Sequence, residues 1–508
     1  MPKYILAHDL GTSGNKATLF SEDGRLIGSR TVAYDAHYFN DTWVEQDADD
    51  WWQAVCRSSK SLIEDSGTDP KDIATVSFSG QMMGCLCVDR EGRPLRPSII
   101  WADQRARKQT ARIEEKISQW DFYHIVGHRN TPSYGVQKLM WIRDNEPEIY
   151  EQTYKVLNAK DYIVFRLTGR FYTEPSDANS MACFDLNTFQ WSERLIEYSG
   201  IDPDKLPEIR PSTFVAGGVT EAAAGECGLA PGTPVVLGGG DGCVANICCG
   251  SITPGKTYCC MGTSAWITTT AEKPIFDDQM RTVTWAHVIP GMYAPNGTMQ
   301  YAGGSYNWVK QTVARYEAAY AAEHGGSPYD LMNELAAASP VGSNGVIFLP
   351  YLLGERAPRW NVDAKGAWIG LKPESTRGDL FRSVLEGVTM NLSICLDILR
   401  TQLPIDEITV VGGGAKGKVW RQMMADIYNA KVSSLTVLEE GNSMGAAVLG
   451  GVGAGLYRDF SAIDRFIEVR ETCLPDPENA AAYGPVKEAF ELYYRALENA
   501  FHQTARRP

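Results

Sequence analysis

Asp9-Leu10-Gly11-Thr12-Ser13-Gly14 follows the apolar run Tyr4-Ile5-Leu6-Ala7, and it has a counterpart half a chain away. Met261-Gly262-Thr263-Ser264-Ala265 follows Thr257-Tyr258-Cys259-Cys260. Each stretch reads as a strand, a tight turn of glycine and hydroxyl residues, and a second strand: Lys16-Ala17-Thr18-Leu19-Phe20 in the first case, Trp266-Ile267-Thr268-Thr269 in the second. Glycine lets backbone approach a ligand closely, and successive backbone N–H groups in such a turn bind anionic oxygens. Either turn alone is an ordinary β-hairpin. The pair, facing each other, would hold a polyphosphate from two sides.

A chain of 508 residues exceeds what one core accommodates. Its 44% hydrophobic and 22% charged residues are those of an ordinary globular protein. The net charge of −14 argues against a general nucleic-acid or anionic-membrane surface, though not against a local phosphate site. No apolar run reaches the ~18 residues of a membrane span, and no secretory segment precedes the first strand. The 12 cysteines lack zinc-site spacing and read as small buried hydrophobes in a reducing cytoplasm.

The order of elements predicts an α/β protein. Strands cover 4–10, 16–20, 26–32 and 73–78, with a hairpin at Asp23-Gly24. Helical patterns cover 51–62, 102–117, 136–145 and 160–167. Pro234-Val235-Val236-Leu237 leads through three glycines to Asp241, and a helix follows over 243–249. The second repeat begins near Lys256, which places the domain boundary near residue 247 and predicts domains of 1–246 and 247–508. In the second half, helices are expected over 305–322, 331–338, 380–401, 419–428 and 445–457, and a strand over Glu407–Val411 that ends in Gly412-Gly413-Gly414.

Several residues carry chemistry. Asp241, a carboxylate at the end of an apolar strand, sits where open α/β sheets bind ligands. Taken alone it reads first as a helix N-cap; its place beside an interdomain boundary also suits a general base. Asp9, beside the first turn, could hold Mg²⁺ or cap the turn. Gln81 in Ser79-Gly80-Gln81-Met82-Met83-Gly84 offers both donor and acceptor to a polyhydroxy ligand, while Met82 and Met83 suit a core as well as a ligand. Trp101, Asp103, Gln104 and Arg105 combine an indole face with polar groups, a set that suits a sugar ring or a surface helix start.

Together these pieces resemble the FGGY carbohydrate kinases, in the superfamily of actin, hexokinase and the heat-shock ATPases. Asp9–Lys16 resembles the family phosphate loop, and Trp43-Val44-Glu45-Gln46-Asp47 its helix-entry phrase. Ser79-Gly80-Gln81-Met82 resembles the xylulokinase-type substrate motif, and Trp101-Ala102-Asp103-Gln104-Arg105 the Trp-x-Asp-x-Arg segment. Gly238-Gly239-Gly240-Asp241 resembles the base segment, Tyr351–Pro358 the xylulokinase-type loop, and Gly366–Leu371 with Asp379–Glu386 the C-terminal signature.

The resemblance implies two actin-like (ribonuclease H-like) domains with mixed β-sheets around a central cleft. It implies ATP-dependent phosphorylation of a small ketose at a terminal hydroxyl, with xylulose as the type substrate and xylose metabolism as the setting. Ribulose, a tetrulose, a polyol or an aldonate are the alternatives, and a non-sugar actin-like ATPase is the reading from another class. Asp241 would be the base. Gln81, Met82, Met83, Trp101, Asp103 and Asp241 would meet the sugar. Gly11, Thr12, Ser13, Lys16, Gly262, Thr263 and Ser264 would hold the phosphates of ATP, with Gly413, Gly414 and Ala415 along the nucleoside and Mg²⁺ near Asp9 and Asp241. The implied partners are sugar and nucleotide, without nucleic acid or membrane, in a cytoplasmic enzyme whose expected assembly is a homodimer. One departure is specific to this chain: Met83 stands where xylulokinases carry His, replacing a donor with an apolar thioether.

Overall fold

The computed structural model describes residues 3–436 and 440–505. Two seven-stranded mixed sheets organise it, and they share a common centre: an antiparallel hairpin with a later strand added in parallel beside its first strand. The first contains β1 (Tyr4–Leu10), β2 (Gly14–Ser21), β3 (Leu26–Ala33), β4 (Ile73–Gly80), β5 (Val215–Gly218), β6 (Pro234–Val236) and β7 (Gly239–Gly240). β1 runs antiparallel to β2 and β2 to β3, while β4 joins β1 in parallel and takes β7 in parallel on its far side. Its helices include α1 (Ala48–Ser66), α2 (Gly135–Asn145), α3 (Ala159–Thr168) and α4 (Pro175–Ser180). β1 is apolar through Leu6, Ala7 and Leu10 because it lies inside the sheet with both faces covered.

Helix α5 (Asp241–Cys248) leads out of β7 toward the second sheet. That sheet contains β8 (Thr257–Met261), β9 (Ala265–Thr269), β10 (Val283–Ala286), β11 (Tyr293–Met299), β12 (Glu407–Val411), β13 (Lys431–Leu435) and β14 (Val469–Cys473). β8 and β9 form the second hairpin, antiparallel from Thr257↔Thr269 to Met261↔Ala265, and β12 joins β8 in parallel as β4 joins β1. The helices are α6 (Gly303–Thr312), α7 (Arg377–Leu399), α8 (Lys418–Tyr428), α9 (Gly441–Gly453) and α10 (Pro477–Ala505). Asp379 and Glu386, in the C-terminal signature, serve the fold. Asp379 closes the capping box of α7 with Thr376, and Glu386 pairs with Arg382 at 2.7 Å.

Small residues decide how the halves meet. Met444, Ala446, Ala447 and Val448 of α9 pack with Ile5, Ala7 and Phe20 of the first sheet and with Val244 and Ile247 of α5. A Cβ on Gly450 would stand 2.9 Å from Ser77, and one on Gly445 2.7 Å from the Val244 carbonyl, so glycine is what permits this approach. A helix late in the sequence therefore completes the core of the first sheet. The expected boundary near residue 247 falls inside α5. The expected helix over 305–322 is two helices, α6 and 315–324, broken at Val313 and Ala314. The expected helix over 102–117 is shorter, at Arg107–Glu114, because Asp103 and Arg105 are used in tertiary contacts first.

Candidate active site

Both glycine turns have their carbonyls pinned from behind. In the first, Gly11 C=O accepts from the Tyr34 hydroxyl at 2.6 Å, and Thr12 C=O from Gln46 Nε2, also at 2.6 Å. In the second, Gly262 C=O accepts from the Gly303 N–H at 3.0 Å, and Thr263 C=O from the Ala302 and Gly304 N–H groups at 2.7 and 3.1 Å. A trans peptide points its C=O and the next N–H in opposite directions. Pinning two carbonyls in each turn thus aims the N–H groups of Thr12 and Ser13, and of Thr263 and Ser264, away from the protein. The hydroxyls of Ser13, Thr263 and Ser264 have no protein partner among the described residues, whereas the Thr12 hydroxyl accepts from Trp101 Nε1 at 2.9 Å. A Cβ on Gly11 or Gly262 would meet only its own turn, at 3.5 and 3.4 Å, so the space over both turns is open.

The second turn is one wall of a cavity of about 640 Å³, lined also by Gly303, Gly304, Tyr306, Asn333, Gly413, Gly414, Lys416 and Trp420. Gly413 borders this space with nothing within 4 Å of its Cβ position. Ala415 is buried just behind it, its carbonyl accepting from Arg421. Size and glycine-lined walls suit a nucleotide.

Two carboxylates lie close enough to interact, one of them directly before the first turn. Asp9, near the end of β1, accepts from Ser79 Oγ at 2.8 Å and faces Lys16 across the β1–β2 ladder. Burial raises its pKa, opposed by Ser79, Asn442 and the Lys16 charge. Asp241 opens α5, partly exposed to the cleft, and accepts from the Gly242 N–H at 2.7 Å. Burial pushes its carboxyl up to about 7, the Asp9 charge adds to this, and the Gly242 bond opposes it. Among the described residues no cluster of three or more His, Cys, Asp or Glu forms a complete metal cage. Two mutually repelling carboxylates, one of them beside a turn with outward N–H groups, nonetheless fit a divalent cation that keeps most of its shell for other oxygens.

The residues expected at the sugar divide into two groups. Gln81 is buried and donates to Gln46 Oε1 at 2.7 Å, so it supports the first turn through Gln46, with its own Oε1 left without a partner. Met82 is buried against Gly240, whose Cβ position lies 2.5 Å from Met82 Cγ. Asp103 is fully buried (0% exposed), and its oxygens accept from the Val44 N–H at 2.7 Å and from the N–H, Nε and Nη2 of Arg105. It anchors the segment rather than facing the cleft, because Arg105 lies 3.9 Å over the Trp43 ring and draws the carboxylate inward with it. Met83 and Trp101 remain available: Met83 is half-buried at φ 62°, and Trp101 is 43% exposed.

The sequence reading missed Lys138. Its buried ammonium donates to the carbonyls of Met83 and Ile100, both at 2.8 Å, tying the Met83 loop to the strand that leads into Trp101. Burial lowers its pKa to about 7. A lysine set directly before the apolar run Leu139-Met140-Trp141-Ile142 was the available signal. Tyr134, stacked 4.0 Å from His128 and 6.1 Å from Trp285, was also missed.

Comparison with known proteins agrees with this geometry. The model of the FGGY family of carbohydrate kinases, N-terminal domain, matches residues 4–248, and that of the C-terminal domain matches 257–454. A xylulose kinase of Staphylococcus epidermidis is 32% identical over 502 residues, 98% of this chain and 97% of the relative. A gluconokinase of Bacillus licheniformis is 31% identical over 507 residues, 99% of this chain and 98% of that one. The crystal structure of a ligand-bound xylulose kinase from Lactobacillus acidophilus superposes with a TM-score of 0.90 at 27% identity, covering 99% of this chain and all of that one. The two halves thus have the actin-like fold of these kinases. Among the described residues no helix is long and apolar enough to cross a membrane.

The carboxylate pair carries a stability consequence. The Asp241 carboxyl has a folded-state pKa above its ordinary value, so the fold favours its protonated form. Ionising it costs stability progressively from about pH 4 to about pH 7. Asp241→Asn should therefore unfold at a higher temperature than the parent at pH 8, with the difference shrinking toward pH 4. Thermal melts across that range check this; a variant no more stable than the parent at pH 8 would show that the carboxylate carries no such cost.

Proposed function

The chain belongs to the FGGY family of carbohydrate kinases, and from that premise we propose that it moves the terminal phosphoryl group of ATP to a terminal hydroxyl of a small sugar, a pentulose of the xylulose type. One observation carries the reading: two turns whose pinned carbonyls leave their N–H groups facing outward, with Asp241 near enough to Asp9, at the first turn, for the Asp9 charge to act on it. Asp241 takes the proton of the substrate hydroxyl as that oxygen attacks phosphorus, a task for which a pKa near the working pH is suited. The phosphoryl group passes in line, and the N–H groups of Thr12, Ser13, Thr263 and Ser264 meet the charge on its oxygens. Lys16 stands beside Asp9 at the phosphate end. Gly413 and Gly414, backed by Ala415, wall the nucleoside side.

Asp9 and Asp241 supply the acidic donors for Mg²⁺, which when bound neutralises phosphate charge. Met83 and Trp101 form the sugar side, and closure of the cleft excludes water. Work in the cytoplasm suits the 12 cysteines, all free.

Asp241→Asn should bind sugar and nucleotide but lose turnover by roughly 10²–10⁴-fold, the scale of general-base catalysis. In the parent, kcat/KM for sugar should fall as pH drops below about 7, where the free enzyme's base becomes protonated. Steady-state ADP release over a pH series reads both effects; a variant within a few-fold of the parent places the base elsewhere.

A second reading, an aldonate substrate, is favoured by Arg356. This residue is exposed, and its guanidinium makes no hydrogen bond or ion pair among the described residues. The neighbouring Glu355 is turned inward, accepting from the Gln300 N–H and from Asn391 Nδ2 at 3.0 Å. Tyr134, whose hydroxyl has no hydrogen-bond partner among the described residues, has its pKa raised by burial, and the Arg356 charge opposes that rise. A cation and a phenol at the sugar side would hold a carboxylate, and the gluconokinase relative matches about as well as the xylulose kinase. Assayed against pentuloses, tetruloses, polyols and aldonates, an aldonate enzyme should lose about tenfold or more in kcat/KM on Arg356→Ala, the loss of a charge-assisted contact. A preference for a neutral pentulose, unchanged by Arg356→Ala, rejects this second reading.

A further inference from the structure

Helix α4 is only six residues long, and all but Pro175 are buried. Its side chains reach three different parts of the cleft. Ser176 Oγ accepts the N–H of Gly240 at 2.9 Å, at the residue immediately before Asp241. Ser180 Oγ accepts the N–H of Met83 at 2.9 Å, where the backbone is left-handed at φ 62°. Between them, Asn179 accepts the N–H of Ala286 in β10 of the second sheet at 3.1 Å and donates to the Val126 carbonyl at 2.8 Å.

The helix is held from below by charge. Glu174 accepts from the N–H groups of Ser176 and Asp177 at 2.9 and 2.8 Å, from Ser176 Oγ, and from Ser212 Oγ at 2.7 Å. Lys160 pairs with Asp161, with Asp177 at 3.0 Å and with Glu174 at 3.5 Å, every member buried. Burial raises the pKa of Asp161 and Asp177 against the pull of the ammonium. A buried cluster of three carboxyls and one ammonium is a poor source of stability, because desolvation offsets the attraction; it yields directional bonds instead. Here those bonds end on α4. Ser176 gives its proton to Glu174, which leaves a lone pair for the Gly240 N–H. Bulk cannot set the position of β7, since a Cβ on Gly239 or Gly240 would lie 2.3 Å from Val288 or 2.5 Å from Met82. Hydrogen bonds set it. At Met83, Ser180 on the N–H and Lys138 on the carbonyl hold a left-handed conformation that costs methionine backbone strain.

We propose that α4 fixes the spacing between base and sugar loop, with Ser176 a positioning residue for Asp241 and Ser180 a positioning residue for Met83. The inference rests on the reading of Asp241 as base and Met83 as a sugar contact. Asn179 also ties the same helix to the second sheet through the Ala286 N–H. The chemistry is separable: displacing the base slows proton removal, whereas relaxing the Met83 loop weakens sugar binding.

The test is steady-state kinetics of the full-length enzyme on its best sugar, with thermal melts alongside. Ser176→Ala should lower kcat about 10- to 100-fold, the effect of an ångström-scale misplacement, with sugar KM within about threefold. Ser180→Ala should raise sugar KM about tenfold while kcat changes little. Ser212→Ala also removes a bond to Glu174 while leaving in place the Ser212 carbonyl that accepts from the Gly238 N–H at 3.0 Å; it should lower the melting temperature without separating kcat from KM. The proposal is overturned if Ser176→Ala and Ser180→Ala alter kcat and KM together, or if their losses match that of Ser212→Ala at equal melting temperature. Asp241→Asn, run in the same series, separates the two readings. If it keeps turnover, the base assignment fails; if it is inactive while Ser176→Ala matches the parent, only the positioning role fails.

Discussion

The direction of a few peptide planes governs this structure. Each glycine turn has two carbonyls held from the protein side, by Tyr34 and Gln46 in the first half and by the backbone of 302–304 in the second. Planarity of the trans peptide then fixes where the following N–H groups point. The surrounding architecture serves that outcome. Gln81 and Trp51 both donate to Gln46, and β4 sets Ser79 against Asp9. In the second half, α6 begins with the residues that pin Gly262 and Thr263. A duplicated hairpin with its parallel neighbour supplies the two turns, and the glycine contacts of α9 let that helix pack closely on the first sheet and on α5.

Within the cleft, electrostatics run against stability. Asp9 and Asp241 both have raised pKa values from burial, and each charge disfavours the other. An arrangement selected for folding alone would put apolar or paired residues there. Two such carboxyls beside anion-binding turns make sense when a cation and a polyphosphate arrive together, each offsetting the charge of the other. The Lys160 cluster one layer behind follows the same logic at a distance from the ligand, trading desolvation for geometry.

Much of this was legible in the sequence because it was carried by local patterns. The repeated strand–turn–strand, the strand Glu407–Val411 and the three glycines before Asp241 are where they were expected. What escaped was set by tertiary context. Asp103 and Arg105 look like a polar surface pair, yet they are buried under the Trp43 and Trp141 rings. Lys138, Lys160, Glu174 and Asp177 look like solvated charges, since such residues are almost never fully buried unless paired. Nothing in 175–180 marks a short helix as the link between the Asp241 turn and the Met83 loop. The break at Val313 and Ala314 and the packing of α9 on the first sheet likewise depend on partners distant in the chain.

The central claim is that the two turns grip one polyphosphate from opposite sides. ATP affinity measured by calorimetry on Gly11→Ala and Gly262→Ala tests it most directly, because the fold has room for either methyl and only the open side of each turn is obstructed. The account predicts that each variant melts with the parent yet binds ATP about tenfold or more weakly, a loss of at least ~1.4 kcal/mol. Parent-like ATP affinity in both variants would contradict it.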